Sequence, residues 1–158
     1  MTEVAQGREM SAGLDNEGDF WVWGGKRTLS ESFPQEDVDE HSLQPILFDW
    51  FSKNSLKVQK FACGEFHVVV KASDQEGKSY LYCLLDLNAD RRPEIATVEY
   101  LTGCKELEAA CDGFVHKLDI DADTIVDFSC NRYSTVFIMS EKRADSDKQG
   151  ILHFVKQG

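Results

Sequence analysis

Long apolar runs, paired cysteines and clustered basic residues are all missing from this chain, and each absence closes off a class of function. No stretch approaches the roughly 20 consecutive apolar residues that a membrane-crossing helix needs. Met1-Thr2-Glu3-Val4 opens the chain without the basic segment and apolar stretch of a secretion signal. The expectation is an intracellular protein, cytoplasmic or nuclear, with no membrane partner. The five cysteines, Cys63, Cys83, Cys104, Cys111 and Cys130, are odd in number, widely spaced and form no C-x-x-C pair. Reduced, mostly buried thiols follow from that, rather than a disulfide framework. Lys and Arg number 17 against 28 Asp and Glu, a formal net charge of −11. Direct nucleic-acid binding needs clustered Lys and Arg for phosphate contacts and is disfavoured. Arg91-Arg92 and Lys142-Arg143 read as solvated loop charges, and the acidic surface suits a basic partner or simple solubility.

Signatures of catalysis are missing too. There is no phosphate-cradling Gly-x-x-x-x-Gly-Lys, nucleophile elbow or paired-carboxylate motif, and Gly24-Gly25-Lys26 is a turn without the rest of a P-loop. His41, His116 and His153 share no metal-ligand spacing with each other or with cysteine. Asp119-x-Asp121-x-Asp123 opens like a calcium loop, but Thr124 stands where its glycine belongs and Cys130 where its final glutamate belongs. A solvated acidic turn between two strands is the better reading. The segment from Cys104 to Cys111 reads as a short amphipathic helix, with no base placed to activate either thiol. No catalytic residue, cofactor site or metal site is therefore assigned.

What the chain does have is 158 residues, 42% hydrophobic and 28% charged, the profile of a globular domain able to bury a core. It also repeats itself, which bears on fold more than any other feature. One copy runs Val4-Ala5-Gln6-Gly7-Arg8-Glu9-Met10, Ser11-Ala12-Gly13-Leu14, Asp15-Asn16-Glu17-Gly18 and Phe20-Trp21-Val22-Trp23-Gly24. A second runs Phe61-Ala62-Cys63-Gly64-Glu65-Phe66-His67, Val68-Val69-Val70, a polar turn ending at Gly77, and Tyr80-Leu81-Tyr82-Cys83. The third runs Phe128-Ser129-Cys130-Asn131-Arg132-Tyr133-Ser134, Thr135-Val136-Phe137-Ile138, a polar turn ending at Gly150, and Ile151-Leu152-His153-Phe154. Each copy reads as a small-residue strand, a tight turn, an apolar strand, a polar turn and an aromatic strand.

Gly7 and Gly64 sit where a chain reversal calls for a positive φ, and Asn131 is the next-best residue for that conformation. The small residues before them suit strands that crowd near an axis, and the aromatic strand, with Trp23, supplies bulk for packing sheet on sheet. Further strands at Pro45-Ile46-Leu47-Phe48 and Val115-His116-Lys117-Leu118 lead into the second and third copies, making four strands per period. Four strands per period is a propeller blade. A sandwich or barrel of short strands is the alternative.

Ala62-Cys63-Gly64-Glu65-Phe66-His67 and Gly18-Asp19-Phe20-Trp21-Val22-Trp23-Gly24 resemble the repeat of the regulator-of-chromosome-condensation family. The spacing from Pro45-Ile46 to Val58-Gln59-Lys60-Phe61 is similar to that family's as well. The chain departs from the pattern at Met10 and Ser134, where the repeat has His, and at Cys83-Leu84 and Val155-Lys156, where it has Trp-Gly. The resemblance implies a seven-bladed ring, of which this chain would supply part, as a fragment or completed by another chain. It also implies that His67 buries its ring at a strand start and bonds to backbone.

The resulting expectation is an all-β, single partial propeller domain over residues 1–158, with two to two-and-a-half four-stranded blades. Repeat ends fall near 4–24, 61–84 and 128–155. Insertions fall at 25–44 and 86–113, the latter holding an extra strand at Ile95-Ala96-Thr97-Val98 and the short helix. Long loops on a rigid scaffold carry binding residues, so Glu36, Asp37, Asp39, Glu40, Asp90, Arg91 and Arg92 are the candidate partner contacts. The expected function is a non-catalytic protein–protein interaction module without cofactor. Its partner is a protein, a small GTPase or the remaining blades on another chain. The alternatives are a guanine-nucleotide exchange factor, as the resemblance implies, or the targeting part of a larger enzyme such as a ubiquitin ligase.

Overall fold

A computed structural model describes residues 1–8, 10–24, 45–65, 67–85, 97–110, 114–143 and 146–152. The described strands form three antiparallel sheets, so the chain is all-β in character. The first sheet runs in order β1 (Glu3–Gln6), β2 (Met10–Leu14), β3 (Phe20–Gly24) and β4 (Ile46–Leu47). A single helical turn, α1 (Trp50–Lys53), leads to the second sheet, which holds β5 (Lys57–Cys63), β6 (His67–Ser73) and β7 (Ser79–Leu85). After α2 (Val98–Thr102) come β8 (Glu106–Ala110) and β9 (Val115–Leu118), which complete it in the order β5-β6-β7-β9-β8. A 3₁₀ turn (Ala122–Thr124) then precedes the third sheet, β10 (Ile125–Cys130), β11 (Thr135–Arg143) and β12 (Ser146–Leu152).

The sheets stack face to face, and the central one is buried on both sides. Along β6 the run His67-Val68-Val69-Val70 is wholly buried. Because successive strand residues point to opposite faces, Val68 and Val70 enter the core shared with the first sheet. Val69 enters the one shared with the third. A strand covered on both faces reads as a continuous β-branched run. The first core is aromatic: Phe51 of α1 meets Phe20 and Phe48, each with ring centroids 5.7 Å apart, and Tyr82 at 5.4 Å, all edge-on. Leu81, Cys83, Leu101, Ile125, Phe128 and Phe137 build the second core. Lys71 adds a polar tie across it, its Nζ donating to the Ile125 carbonyl at 2.9 Å, and Lys60 pairs with Asp127.

The turn from the second to the third strand is the same in the first two sheets. Asp15 Oδ1 accepts from the backbone N–H of Glu17 and Asp19, both at 2.9 Å, and Oδ2 accepts from Trp21 Nε1 at 2.8 Å. Asp74 repeats this with Glu76, Lys78 and the Tyr80 hydroxyl, at 2.9, 2.9 and 3.1 Å. The Trp21 indole chiefly holds the Asp15 carboxyl below its usual range. At Asp74, desolvation pushes upward but is outweighed by the Lys78 N–H and the Tyr80 hydroxyl.

Several expected elements fall differently. Ile46–Leu47 pairs with β3 (Trp21 opposite Leu47) and Val115–Leu118 pairs with β7, so each closes the preceding sheet instead of opening the next. The part of the expected Cys104–Cys111 helix that is described, through Ala110, is not helical. Glu106–Ala110 forms edge strand β8 against β9, where ladder hydrogen bonds outweigh the helical preference of Glu-Leu-Glu-Ala-Ala. The helix lies earlier: Thr97 caps it by accepting from Tyr100 N at 3.2 Å, and Gly103 ends it at φ 69°. Thr97 and Val98 therefore start α2 and are not strand; Ile95 and Ala96 lie outside the described residues. In the third sheet the strand begins at Ser146, and Gly150 pairs opposite Glu141 within it, because β11 runs on to Arg143 before reversing. Of the two insertions, 25–44 and 86–96 with 111–113 lie outside the described residues. No helix among the described residues is long and apolar enough to cross a membrane.

Phe51 is 2% exposed and joins the rings of both sheets. Phe51→Ala should cost about 3–5 kcal/mol, read from the shift in a urea denaturation curve followed by circular dichroism.

Candidate functional site

Three hairpins end in the same way. Gln6 pairs with Ser11, Cys63 with Val68 and Cys130 with Thr135. Inside each, the first turn residue donates its N–H to the carbonyl three positions on: Gly7 to Met10 at 2.8 Å, Gly64 to His67 at 2.7 Å, and Asn131 to Ser134 at 3.0 Å. The turns lie side by side on one rim. Positive φ is not what Gly7 and Gly64 provide; in the first two sheets that conformation occurs at Gly18 (89°) and Gly77 (86°), in the second turn. Gly7 and Gly64 are needed for lack of room. A Cβ on Gly7 would overlap the Gly64 carbonyl oxygen, and one on Gly64 would overlap the His67 ring and stand 2.7 Å from the Asn131 carbonyl oxygen. Asn131 closes its own turn, its Oδ1 accepting from Ser134 N at 3.0 Å and Ser134 Oγ at 2.6 Å.

The strands before these turns are joined in a repeating way. Cys63 Sγ donates to the Ala5 carbonyl at 3.5 Å, and Cys130 Sγ to the Ala62 carbonyl at 3.6 Å. Each thiol thus reaches the small residue of the previous copy. Burial first, then the nearby Cys130, pushes the Cys63 thiol up to about 12. Burial alone dominates at Cys130, about 12, and Cys104, about 11. Near neutrality these groups stay protonated, which leaves little of the thiolate that a nucleophile needs. Among the described residues no group of three His, Cys, Asp or Glu side chains is placed to hold a metal ion.

One position beyond each turn glycine or asparagine stand Arg8, Glu65 and Arg132. The Glu65 side chain is 6% exposed and takes both cations, Arg8 Nη1 donating to Oε1 at 3.0 Å and Arg132 Nε to Oε2. The arginines themselves are 66% and 62% exposed, so this is a buried carboxylate between two solvent-facing guanidiniums. Together with the turns, Cys63 and Cys130 they line a shallow depression of about 360 Å³. Arg132 also stacks over Tyr133, 4.9 Å from the ring centre. Sequence reasoning singled out the turn residues and passed over this row. Its signal was there: three charges of alternating sign at one repeat position.

His67 lies just behind the rim and is fully buried. It bonds a side chain, not the backbone: Nε2 is 3.1 Å from Thr135 Oγ1 in the third sheet, and that hydroxyl donates to the Leu101 carbonyl at 2.9 Å. Since the hydroxyl proton is used, Nε2 must be the donor, and Nδ1 meets no partner among the described residues. Burial lowers its pKa to about 4. Trp23 stands opposite Ser11, on the face of the first sheet turned away from the second. The expected partner contacts Glu36, Asp37, Asp39, Glu40, Asp90, Arg91 and Arg92 lie outside the described residues.

Gly7→Ala should destabilise the fold by about 2–3 kcal/mol, because backbone of the neighbouring turn must move; differential urea denaturation measures it. His67 gives a pH dependence. The folded chain resists a proton that the unfolded chain accepts below about pH 6.5. Stability is therefore full above that pH and falls as pH drops toward about 4, by about 3 kcal/mol in all. His67→Gln, which keeps a donor for Thr135, should flatten this limb in urea midpoints taken between about pH 4 and pH 7.

In comparisons with known proteins, no family model matches the chain, and no curated protein matches it either.

Proposed function

We propose that the protein is a non-catalytic protein–protein interaction module, a segment of β-propeller built from repeats of the regulator-of-chromosome-condensation type. Its partner docks on the rim where the three turns meet. The observation that carries this reading is the register of those turns. Equivalent residues of successive copies, Gly7, Gly64 and Asn131, touch one another, and equivalent thiols reach equivalent carbonyls. First strands in such close apposition, with aromatic bulk from Phe48, Phe51 and Tyr82 between the later strands, suit sheets that splay from an axis.

The rim is rigid, because the backbones beneath it are in contact, and it presents charge in a fixed pattern. Arg8 and Arg132 make it a locally basic feature on an acidic protein. A protein partner bringing carboxylates to the two guanidiniums fits that pattern. Buried, protonated thiols and a buried neutral His67 favour packing over turnover as the role of the reactive side chains.

The test compares wild type with the Arg8→Gln/Glu65→Gln/Arg132→Gln variant, which neutralises the carboxylate together with its two cations so that no unpaired charge is left buried. Both are immobilised, partners are captured from source-cell extract, and binding of the captured protein is then titrated. The expected result is one partner retained by wild type and weakened about tenfold or more in the variant, with circular dichroism unchanged. An identical captured set at equal affinity would refute the docking site. Faster release of fluorescent GDP from any member of a small-GTPase panel would replace the non-catalytic reading with exchange activity.

A further inference from the structure

The inter-sheet packing follows a rule that the stack breaks at both ends. Val4, Phe61 and Phe128 each stand three residues before the turn glycine or asparagine. Phe61 is 8% exposed and meets Phe20 of the first sheet at 5.3 Å between ring centres. Phe128 is 4% exposed and lies in the core between the second and third sheets. Val4, at the same position, is 60% exposed. It belongs to a row straight across the first sheet, Val4 opposite Gly13, Gly13 opposite Trp21 and Trp21 opposite Leu47, on the face turned away from the second sheet. Leu47 in that row is 41% exposed.

The other end shows the complementary break. Ala12, Val69 and Val136 stand five residues after the turn glycine or asparagine. Ala12 and Val69 are fully buried against the following sheet. Val136 lies between Thr135 and Phe137, which both face the second sheet, so it points the other way and is only half-buried. Among the described residues the chain thus carries both halves of an interface that it makes twice internally, each half without its mate.

We propose that a second copy of this chain packs its third sheet, through Val136, on the outward face of the first sheet, through Val4, Trp21 and Leu47. The occupant is a second copy because the two mating halves sit on one chain and face in opposite directions. Such a head-to-tail contact either closes a ring or extends a chain of copies. Each copy carries a net charge of −11, so repulsion opposes the apolar contact and added salt strengthens it.

Sedimentation velocity on the intact 158-residue chain tests this. Wild type should shift from the mass of one chain toward two or more as concentration rises, the more so in higher salt. Val4→Arg and Val136→Arg should each weaken the association about tenfold or more while circular dichroism and melting stay native. An equimolar mixture of the two variants should associate again, since each supplies the half that the other has lost. Should Val136→Arg fail to fold, the comparison of wild type with Val4→Arg decides alone. A single-chain mass at every concentration overturns the proposal. So does an assembly indifferent to Val4→Arg, or a mixture that stays dissociated. The rim variant of Arg8, Glu65 and Arg132 leaves this readout unchanged, so the two readings fail separately.

Discussion

Backbone lies against backbone at the rim, and the rest of the arrangement depends on that contact. Gly7 approaches the Gly64 carbonyl, and Gly64 approaches the carbonyl of Asn131, at separations no Cβ would permit. With the turns this close, the thiols of Cys63 and Cys130 reach the carbonyls of Ala5 and Ala62 on the neighbouring first strands. Beyond the turns, rings and aliphatic side chains occupy the space between sheets. Phe20, Phe48, Phe51 and Tyr82 fill the first gap, and Phe128 and Phe137 fill the second with Leu81 and Leu101. The contacts at the turns and the packed side chains beyond them set each sheet against the next in one register.

Polar chemistry has been drawn into the same task. His67 is held neutral by burial and reaches Thr135 across the gap between the second and third sheets, its Nδ1 without a partner among the described residues. Glu65 binds a cation from each neighbouring turn, Arg8 on one side and Arg132 on the other. A buried carboxylate is tolerated because its charge is matched and its oxygens are hydrogen-bonded. Both residues belong to the central copy, which alone has a neighbour on either side. The tips of the guanidiniums remain in water. The rim therefore combines close backbone packing with two exposed guanidiniums.

Much of this was legible in the chain. Three copies of strand, turn, strand marked the hairpins, because a period-two apolar pattern punctuated by Gly and Asn has few other realisations. Other features were misread for identifiable reasons. Gly7 and Gly64 looked like positive-φ residues, since a glycine at a reversal does not disclose whether its backbone angle or its missing Cβ matters. Glu106–Ala110 looked helical because nothing local announces a partner strand, and β9 lies in a later segment. Asp15 and Asp74 were seen only as polar turn residues, although each organises its turn and anchors the aromatic side chain that follows.

The sequence by itself determined the three repeated hairpins, their order and the places where turns must be tight, because those rest on alternation and on residues a few positions apart. Tertiary structure alone decided which strand closes which sheet, why two glycines are obligatory, and that Arg8, Glu65 and Arg132 form one row. The last two are contacts between residues more than fifty positions apart in the chain, and the closing strands pair across intervening segments as well. Their geometry comes from the stacking of whole sheets, and no local pattern encodes a distance that exists only once the neighbouring copy is in place.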